Sequence, residues 1–307
     1  MRSGPVRPGH DGLSSAADWA LLVLPGLIWG ASFLFIAEGL EVMAPDGVTF
    51  GRIAIGFVTL SLIPAVRAPV RRADWAGTAW LGVLWLAFPL SMFPHAEQHV
   101  SSAMTGMLNG ATPLFATSVA AIVAGRLPSR AVVIGLAVGL VGATLVAAPT
   151  LGEGQSSVTG VLLIVAALVS YGVAINLARP LQQRNGALPV VWRALAVALV
   201  LTAPIGLPAL LHARWTVRAA LCMLALGALG TGIANVLVAV AAGRIGATRA
   251  SATTFLMPAV ALALGVAVRG ERVAAIAILG GAVCLAGAWL VRRASIATAE
   301  SPAAGAS

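Results

Sequence analysis

Long uncharged apolar runs, separated by short segments that carry arginine, constrain this chain more than any other feature of its sequence. Of its 307 residues, 59% are hydrophobic and only 9% are charged, whereas soluble domains are about 25% charged. A helix needs about 20 consecutive apolar residues to cross the hydrocarbon core of a bilayer. The alternation of such runs with charged loops predicts an all-α polytopic membrane protein.

Ten runs are long enough to serve as transmembrane helices. They lie at 20–38, 48–66, 76–94, 104–124, 131–149, 159–178, 189–208, 219–240, 250–268 and 273–291. The loops between them are too short to hold a folded domain, so we expect function to lie within the membrane. The predicted parts of the chain are a tail over 1–18, five helices over 19–149, a short external linker over 150–158, five helices over 159–293 and a tail over 294–307.

The distribution of arginine predicts the orientation of these helices. All 19 basic residues are arginine, and they fall mainly on one side of the predicted membrane. Cytoplasmic loops carry the excess of positive charge, so both termini are predicted to be cytoplasmic. The lysine-free, arginine-rich and alanine-rich composition is typical of GC-rich bacterial genomes and indicates a bacterial cell (inner) membrane. Because topology accounts for the net charge of +9, we expect no nucleic-acid partner.

The second half of the chain repeats landmarks of the first half. Pro113 aligns with Pro258 and Gly142 with Gly287 at an offset of 145 residues, and Arg52 aligns with Arg193 at an offset of 141. Each repeat holds five predicted helices, and an odd number makes the second copy enter the membrane from the opposite side. The sequence therefore predicts two inverted five-helix repeats, a geometry that serves alternating access.

Several motifs then carry a resemblance to a known family. They are Trp29-Gly30-Ala31-Ser32-Phe33 in the first span, Pro45 and Arg52 in the second, Pro113 and Pro258 in the fourth and ninth, and Gly270-Glu271-Arg272 before the tenth. In this order the set resembles the drug/metabolite transporter (DMT) superfamily, in its ten-helix EamA-type branch, over roughly residues 19–293. The resemblance implies two inverted bundles of five helices around a central cavity and a transporter that is more often an exporter. Arg126 departs from the pattern, because the first repeat usually has glutamate there.

Polar side chains in the middle of spans are the candidates for contact with a small-molecule substrate. They are Trp29, Ser32, Arg52, Asn109, Tyr171, Asn176, Arg193 and Asn235. A second interpretation stays open for some of them, because arginines near span ends extend to the membrane surface and asparagine amides join helices. Pro113 and Pro258 each remove a backbone hydrogen bond inside a predicted helix and are candidate hinges.

Polar residues at the outer ends of the first and third spans form a candidate gate: Glu38, His95, Glu97 and His99. Glu38 is a candidate partner of Arg52. His95 and His99 are spaced to share one helix face, which suits a solvated rim, a pH-sensitive gate or a metal-binding pair. Since no further ligand lies near them in the sequence and their order is not that of a metalloprotease, we predict no metal and no cofactor.

These features favour a secondary transporter that moves small metabolites or xenobiotics by alternating access, as an exporter of amino-acid-like substrates. The alternative is a proton-coupled multidrug efflux carrier, and an intramembrane enzyme or a sensor is a different class. The spans hold no converging acid, base and nucleophile, so no enzymatic activity is predicted. The partners expected are the substrate and the lipid bilayer, with the chain a monomer or a homodimer. Gly135, Gly139, Gly142, Gly280, Gly281 and Gly287 are expected to pack either between the two halves or between protomers.

Overall fold

The structure is a computed structural model that describes residues 15–125, 127–151 and 155–300. In these residues, all regular secondary structure is helical. The α-helices are α1 (Ala16–Leu40), α2 (Pro45–Ser61), α3 (Trp75–Leu81), α4 (Phe88–Ala96), α5 (Ser102–Asn109), α6 (Thr112–Ala124), α7 (Arg130–Leu151), α8 (Gln155–Asn185), α9 (Ala187–Leu211), α10 (Val217–Leu224), α11 (Ala234–Arg244), α12 (Ala247–Ala250), α13 (Met257–Arg269) and α14 (Ala275–Glu300). Single π-helical segments, Gly82–Ala87 and Ala225–Ile233, join α3 to α4 and α10 to α11. Short 3₁₀ segments lie at Pro64–Arg67, Arg72–Asp74 and Ser251–Leu256.

The helices have the length and composition of membrane spans. Within the described residues, nine helical stretches are long and apolar enough to cross a bilayer. The second predicted span corresponds to α2, which is shorter, at 17 residues. Large apolar side chains such as Ile122, Val200 and Ile205 are 78%, 71% and 68% exposed on the outside of the bundle, where hydrocarbon rather than water suits them. The prediction of an all-α polytopic membrane protein is confirmed.

Helices extend into the two predicted tails and into the predicted linker. α1 begins at Ala16, inside the predicted N-terminal tail, because Ser15 and Asp18 cap each other's backbone N–H groups at 3.2 Å. α7 ends at Leu151 and α8 begins at Gln155, so helix occupies most of the predicted linker. α14 continues to Glu300, into the predicted C-terminal tail. Residues 1–14, Arg126, 152–154 and 301–307 lie outside the described residues.

The landmarks of the predicted repeat have counterparts in the backbone. Gly125 ends α6 and Gly270 ends α13, each in the left-handed conformation that favours glycine, at φ 60° and 64°. Pro113 and Pro258 are each the second residue of a new helix, after a break in the span. The prediction that each proline removes a backbone hydrogen bond inside a helix is therefore wrong, because in a first turn the missing N–H has no partner to lose.

Glycine faces bring the last helix of each half together. α7 and α14 pack against each other along their length. A Cβ atom added to Gly135 would lie 2.8 Å from the backbone N of Val291, and one added to Gly280 would lie 2.6 Å from the backbone N of Val146. Of the two interpretations of these glycines, the structure shows packing between the two halves of the chain.

Ion pairs lie at both ends of the bundle. At the end where α1 begins, hereafter the N-terminal end, Arg244 Nε lies 2.6 Å from Asp18 and Arg184 Nη2 lies 2.7 Å from Asp74. The opposite end, where α1 finishes, is hereafter the Glu38 end. Successive spans run in opposite directions, so residues from spans far apart in sequence meet at each end.

Candidate functional site

A cavity of about 290 Å³ lies between the two halves of the chain. Its lining includes Trp29, Ser32, Phe33, Ile36, Arg52, Trp85, Leu90, Phe93, Asn109, Tyr171, Thr231, Asn235, Ser251, Thr254 and Met257. The lining reaches exposed Ser251 towards the N-terminal end, whereas Phe33, Ile36 and Phe93 on the other side are buried. The volume lies at the lower end of the range for small-molecule sites and suits a molecule of amino-acid size.

Arg52 supplies the charge of this cavity. It projects from the middle of α2, is 5% exposed and is the only charged side chain among the described residues of the lining. Its Nε donates a hydrogen bond of 3.3 Å to Thr231 Oγ1, and this is the only hydrogen bond that its guanidinium makes within the described residues. Both Nη groups therefore remain available for a planar anion such as a carboxylate, which a guanidinium binds with two parallel bonds.

The π-helical segment Ala225–Ile233 positions the partners of Arg52 and Trp29. Thr231 holds Arg52 and in turn donates to the carbonyl of Leu226 at 3.3 Å. Trp29 Nε1 donates to the carbonyl of Gly230 at 2.9 Å. One extra residue in a helical turn displaces the backbone and frees carbonyl groups from the i→i+4 pattern, which is why such segments occur at functional sites.

An aromatic wall closes the cavity on the side of α4 and α8. Phe93 meets Phe33 edge-on with ring centroids 5.7 Å apart, and it meets Tyr171 at 5.9 Å. These rings line the same cavity as Arg52 and contribute apolar surface to it. A charged ligand group at Arg52 is thus screened little by water.

Six of the eight predicted substrate contacts line this cavity: Trp29, Ser32, Arg52, Asn109, Tyr171 and Asn235. Asn235 Nδ2 donates to the carbonyl of Thr231 at 2.9 Å, and Asn109 Oδ1 accepts from Thr112 Oγ1 at 3.2 Å. The Asn235 amide is therefore held by a backbone carbonyl of its own span, and the Asn109 amide by a hydroxyl of its own span. These six residues belong to five different spans, and the packing of the two halves brings them together.

Asn176 and Arg193, the other two predicted contacts, lie outside the cavity. Asn176 Nδ2 donates to the carbonyls of Ala116 and Gly172, both at 2.8 Å, and joins α8 to α6. Arg193 Nη1 donates to the carbonyls of Val66 and Pro189, at 3.3 and 3.1 Å. Its guanidinium also lies over the rings of Trp75 and Trp192. In both cases the second interpretation, a structural or interfacial role, describes the observed contacts.

An ion-pair network, formed by Glu38, Glu41, Arg218, Arg269 and Glu271, covers the Glu38 end. Glu38 is 6% exposed, and its two oxygens lie 2.6 and 2.8 Å from nitrogens of Arg218 and Arg269. Glu271 accepts hydrogen bonds from the backbone N–H groups of Ser102 and Ala103, at 3.1 and 2.9 Å, which ties the segment after α13 to the start of α5. The prediction that Glu38 pairs with Arg52 is wrong, because Glu38 forms ion pairs with Arg218 and Arg269 of the second half instead.

The other predicted gate residues occupy separate environments. α4 ends at Ala96, between His95 and His99, so the prediction that these histidines share one helix face is wrong. His95 Nδ1 lies 2.8 Å from the carbonyl of Ser91, and its Nε2 lies 3.8 Å from Asp46. His99 packs with its Cβ against Gly160 of α8. The carboxylate of Glu97 is buried, and within the described residues neither of its oxygens has a hydrogen-bond partner.

Sequence reasoning missed several residues of the lining. Thr231, Trp85 and Gly230 lie in or next to π-helical segments, where the helical period changes. A change of period has no marker in the apolar sequence of either span. The one available signal is the glycine content of the segment around Gly227, Gly230 and Gly232, which marks a close approach of the neighbouring helices.

This chain is similar to known proteins in sequence and in fold. The model of the EamA-like transporter family matches the chain twice, over residues 19–148 and 158–293. A probable terminal-alkyne amino-acid exporter from Streptantibioticus cattleyicolor is 29% identical over 284 residues, which cover 91% of this chain and 94% of the relative. One solved crystal structure has a TM-score of 0.61 at 20% identity, covering 90% of this chain and 96% of the other, and this likeness shows the fold alone.

Proposed function

Because this chain belongs to the EamA-like transporter family, we propose that it is a secondary transporter that exports small amino acids with apolar side chains. The similar exporter from Streptantibioticus cattleyicolor supports both the direction and the substrate class, since its described substrates are terminal-alkyne amino acids. The single observation that carries the proposal is Arg52, a buried arginine with both Nη groups available in a cavity of amino-acid size.

The chemistry of the cavity matches such a substrate in two parts. The guanidinium of Arg52 binds the α-carboxylate with two hydrogen bonds, as guanidinium groups bind planar anions. The rings of Phe93, Tyr171 and Trp85 provide apolar surface for a short hydrocarbon side chain. The described lining holds no carboxylate to attract a cation, which disfavours the alternative of a carrier for cationic drugs.

Alternating access gives the two ends of the bundle different roles. The positive-inside distribution of arginine supports an orientation with the N-terminal end in the cytoplasm of a bacterial cell and the Glu38 end outside. In this orientation the cavity reaches towards the cytoplasm, and the ion-pair network covers the outside. The matched halves of the chain support exchange between this state and one in which the outer end is open, with Pro113 and Pro258 at the helix breaks as hinges.

Binding of L-propargylglycine, a terminal-alkyne amino acid, tests the proposal on purified protein in detergent. We expect the wild type to bind L-propargylglycine saturably. We expect it not to bind the corresponding amine, which lacks the carboxylate. Arg52→Gln removes two hydrogen bonds to a charged group, each worth about 1.5–3 kcal/mol. Loss of even one of them weakens the affinity about 10- to 150-fold. Isothermal titration calorimetry measures the dissociation constants of the wild type and of Arg52→Gln.

Arg193→Gln is the matched control for this experiment, because Arg193 occupies the aligned position in the second half but lies outside the cavity. We expect its affinity for L-propargylglycine to equal that of the wild type. Equal weakening by Arg52→Gln and Arg193→Gln contradicts a carboxylate site at Arg52. Tight binding of the amine without a carboxylate contradicts it as well.

A further inference from the structure

Glu97 has a carboxylate whose burial is unusual for a charged group. It follows α4 at the Glu38 end, and its backbone N–H donates to the carbonyl of Phe93 at 2.9 Å, which continues the last helical turn. Both carboxylate oxygens are buried, and neither has a hydrogen-bond partner within the described residues. An ionised carboxylate buried without a partner is strongly disfavoured, and such a group becomes neutral instead.

The charged groups around Glu97 do not replace the missing partner. Glu271 and Arg269, after α13 and at its end, are engaged with the start of α5 and with Glu38 and Glu41. Arg52 of α2 is the third charged group whose field reaches Glu97. On the same segment, His95 is directed to Ser91 and Asp46, and His99 has its Cβ against Gly160 of α8. Within the described residues, the part of α8 that faces this end, from Ser157 to Ser170, carries no charge.

Burial raises the pKa of the Glu97 carboxyl well above its usual range. The carboxylate of Glu271 raises this pKa further, whereas Arg269 and Arg52 lower it. When the Glu38 end opens, water reaches the Glu97 carboxyl, and the pKa of this carboxyl falls towards the ordinary value of about 4.3. The closed end therefore binds more protons than the open end at every pH between these two values.

We propose that Glu97 is a proton-binding site of the transport cycle, with its carboxyl neutral while the Glu38 end is closed and ionised when that end opens. On opening, the proton passes from the carboxyl oxygen to water at the outer surface, and on closing it is taken up again from the same side. The inference rests on the alternating access of the proposed function, but it does not depend on the substrate.

The sign of the pH dependence follows from linkage. In the window between the ordinary and the raised pKa, acidification favours the state that holds the proton, so low external pH keeps the Glu38 end closed. Raising the pH through this window favours the open end, by at most about tenfold in population per pH unit for one proton. Above the raised pKa the dependence ends, because Glu97 is then ionised in both states.

Cysteine labelling in intact cells measures this opening without any substrate. The reporter is Ile36→Cys, which lines the cavity beneath the ion-pair network and is 1% exposed, with Cys222 and Cys284 replaced by alanine. A membrane-impermeant maleimide added outside reaches it only when the Glu38 end opens. Val217→Cys, at a position that is 79% exposed at the same end, corrects for the pH dependence of thiol reactivity itself.

With Glu97 present, we expect the corrected labelling rate at Ile36→Cys to rise with external pH. Glu97→Gln and Glu97→Leu are expected to give low labelling that does not change with pH, because neither side chain has a charge to expose. Glu41→Gln is the matched control, since Glu41 is a 63% exposed carboxylate of the same end, and the pH dependence should persist there.

Three results overturn the proposal: no pH dependence in the presence of Glu97, an unchanged pH dependence in Glu97→Gln, or its disappearance in His95→Asn instead. Normal labelling of Val217→Cys in each background shows that the variant reached the membrane. Because no substrate enters the measurement, failure of L-propargylglycine to bind leaves this test intact. The two proposals therefore fail separately.

Discussion

At the scale of single residues, identical side-chain types do different work according to the helix face that they occupy. Asn235 and Asn109 line the cavity, whereas Asn176 donates to the carbonyl of Ala116 in a neighbouring helix. Arg52 faces the cavity, while Arg193 lies against Trp75 and Trp192. Asn235, Asn109 and Arg52 thus belong to the candidate site, whereas Asn176 and Arg193 contact other helices and connecting segments of the bundle.

Asn176→Ala tests this division. The substitution removes the hydrogen bond between α8 and α6, which for amides within membranes contributes about 0.6–2 kcal/mol. We expect a lower unfolding temperature and an unchanged Kd for L-propargylglycine, measured on the folded fraction by thermal denaturation and by calorimetry. A Kd raised as far as in Arg52→Gln shows instead that Asn176 contacts the substrate.

At the scale of elements, α7 and α14 join the two halves by contact of their backbones. A Cβ atom on Gly287 would meet the backbone N of Gly139, which cannot move without shifting the whole helix. Within the described residues, a Cβ atom added to Gly243, near the end of α11, would meet no atom within 4 Å beyond its chain neighbours and the backbone of its own helix. The two glycines thus differ in packing although both lie in apolar helices.

We expect Gly287→Ala to destabilise the protein by about 1–3 kcal/mol, as overpacking does in other cores. Gly243→Ala should leave stability unchanged or raise it slightly, because alanine restricts the unfolded chain. Thermal unfolding in detergent compares the two, and failure of Gly287→Ala alone to yield folded protein supports the same conclusion. An unfolding temperature of Gly287→Ala equal to that of the wild type contradicts close packing of α7 on α14.

At the scale of the whole molecule, ion pairs connect the two halves at both ends of the bundle. Glu38 from the first half binds Arg218 and Arg269 from the second, and Asp18 binds Arg244. Any motion that opens the Glu38 end must separate Glu38 from Arg218 and Arg269. In the proposed transport cycle, the balance between the closed and the open state therefore depends on Glu38.

Glu38→Gln should favour opening of the Glu38 end, because a neutral amide holds two arginines more weakly than a carboxylate does. We expect external labelling of Ile36→Cys to increase several-fold. Asp74→Asn, which loses a comparable ion pair with Arg184 at the N-terminal end, is the control and should not increase it. Equal labelling in Glu38→Gln and wild type would show that the network does not restrain this end.

Much of the fold was predictable because it depends on patterns within single spans. Runs of apolar residues marked the helices, and paired prolines and glycines marked the repeat, whose landmarks recur at Gly125 and Gly270. The partner of Glu38 was not predictable in this way. Arg218 and Arg269 lie 180 and 231 residues from it in sequence, and no local pattern specifies contacts at that distance.

The sequence by itself determined that this protein is a polytopic helical transporter of a known family with a half-chain repeat. Hydrophobicity and residue order can be read within one helix at a time, without knowledge of how the helices pack. Tertiary structure alone decided that Arg52 faces a cavity and Arg193 does not, and that the Glu97 carboxylate is buried with no hydrogen-bond partner within the described residues. The physical reason is rotation about the helix axis. In spans that are apolar all round, the face directed inward is set by packing against other helices rather than by the sequence of the span itself.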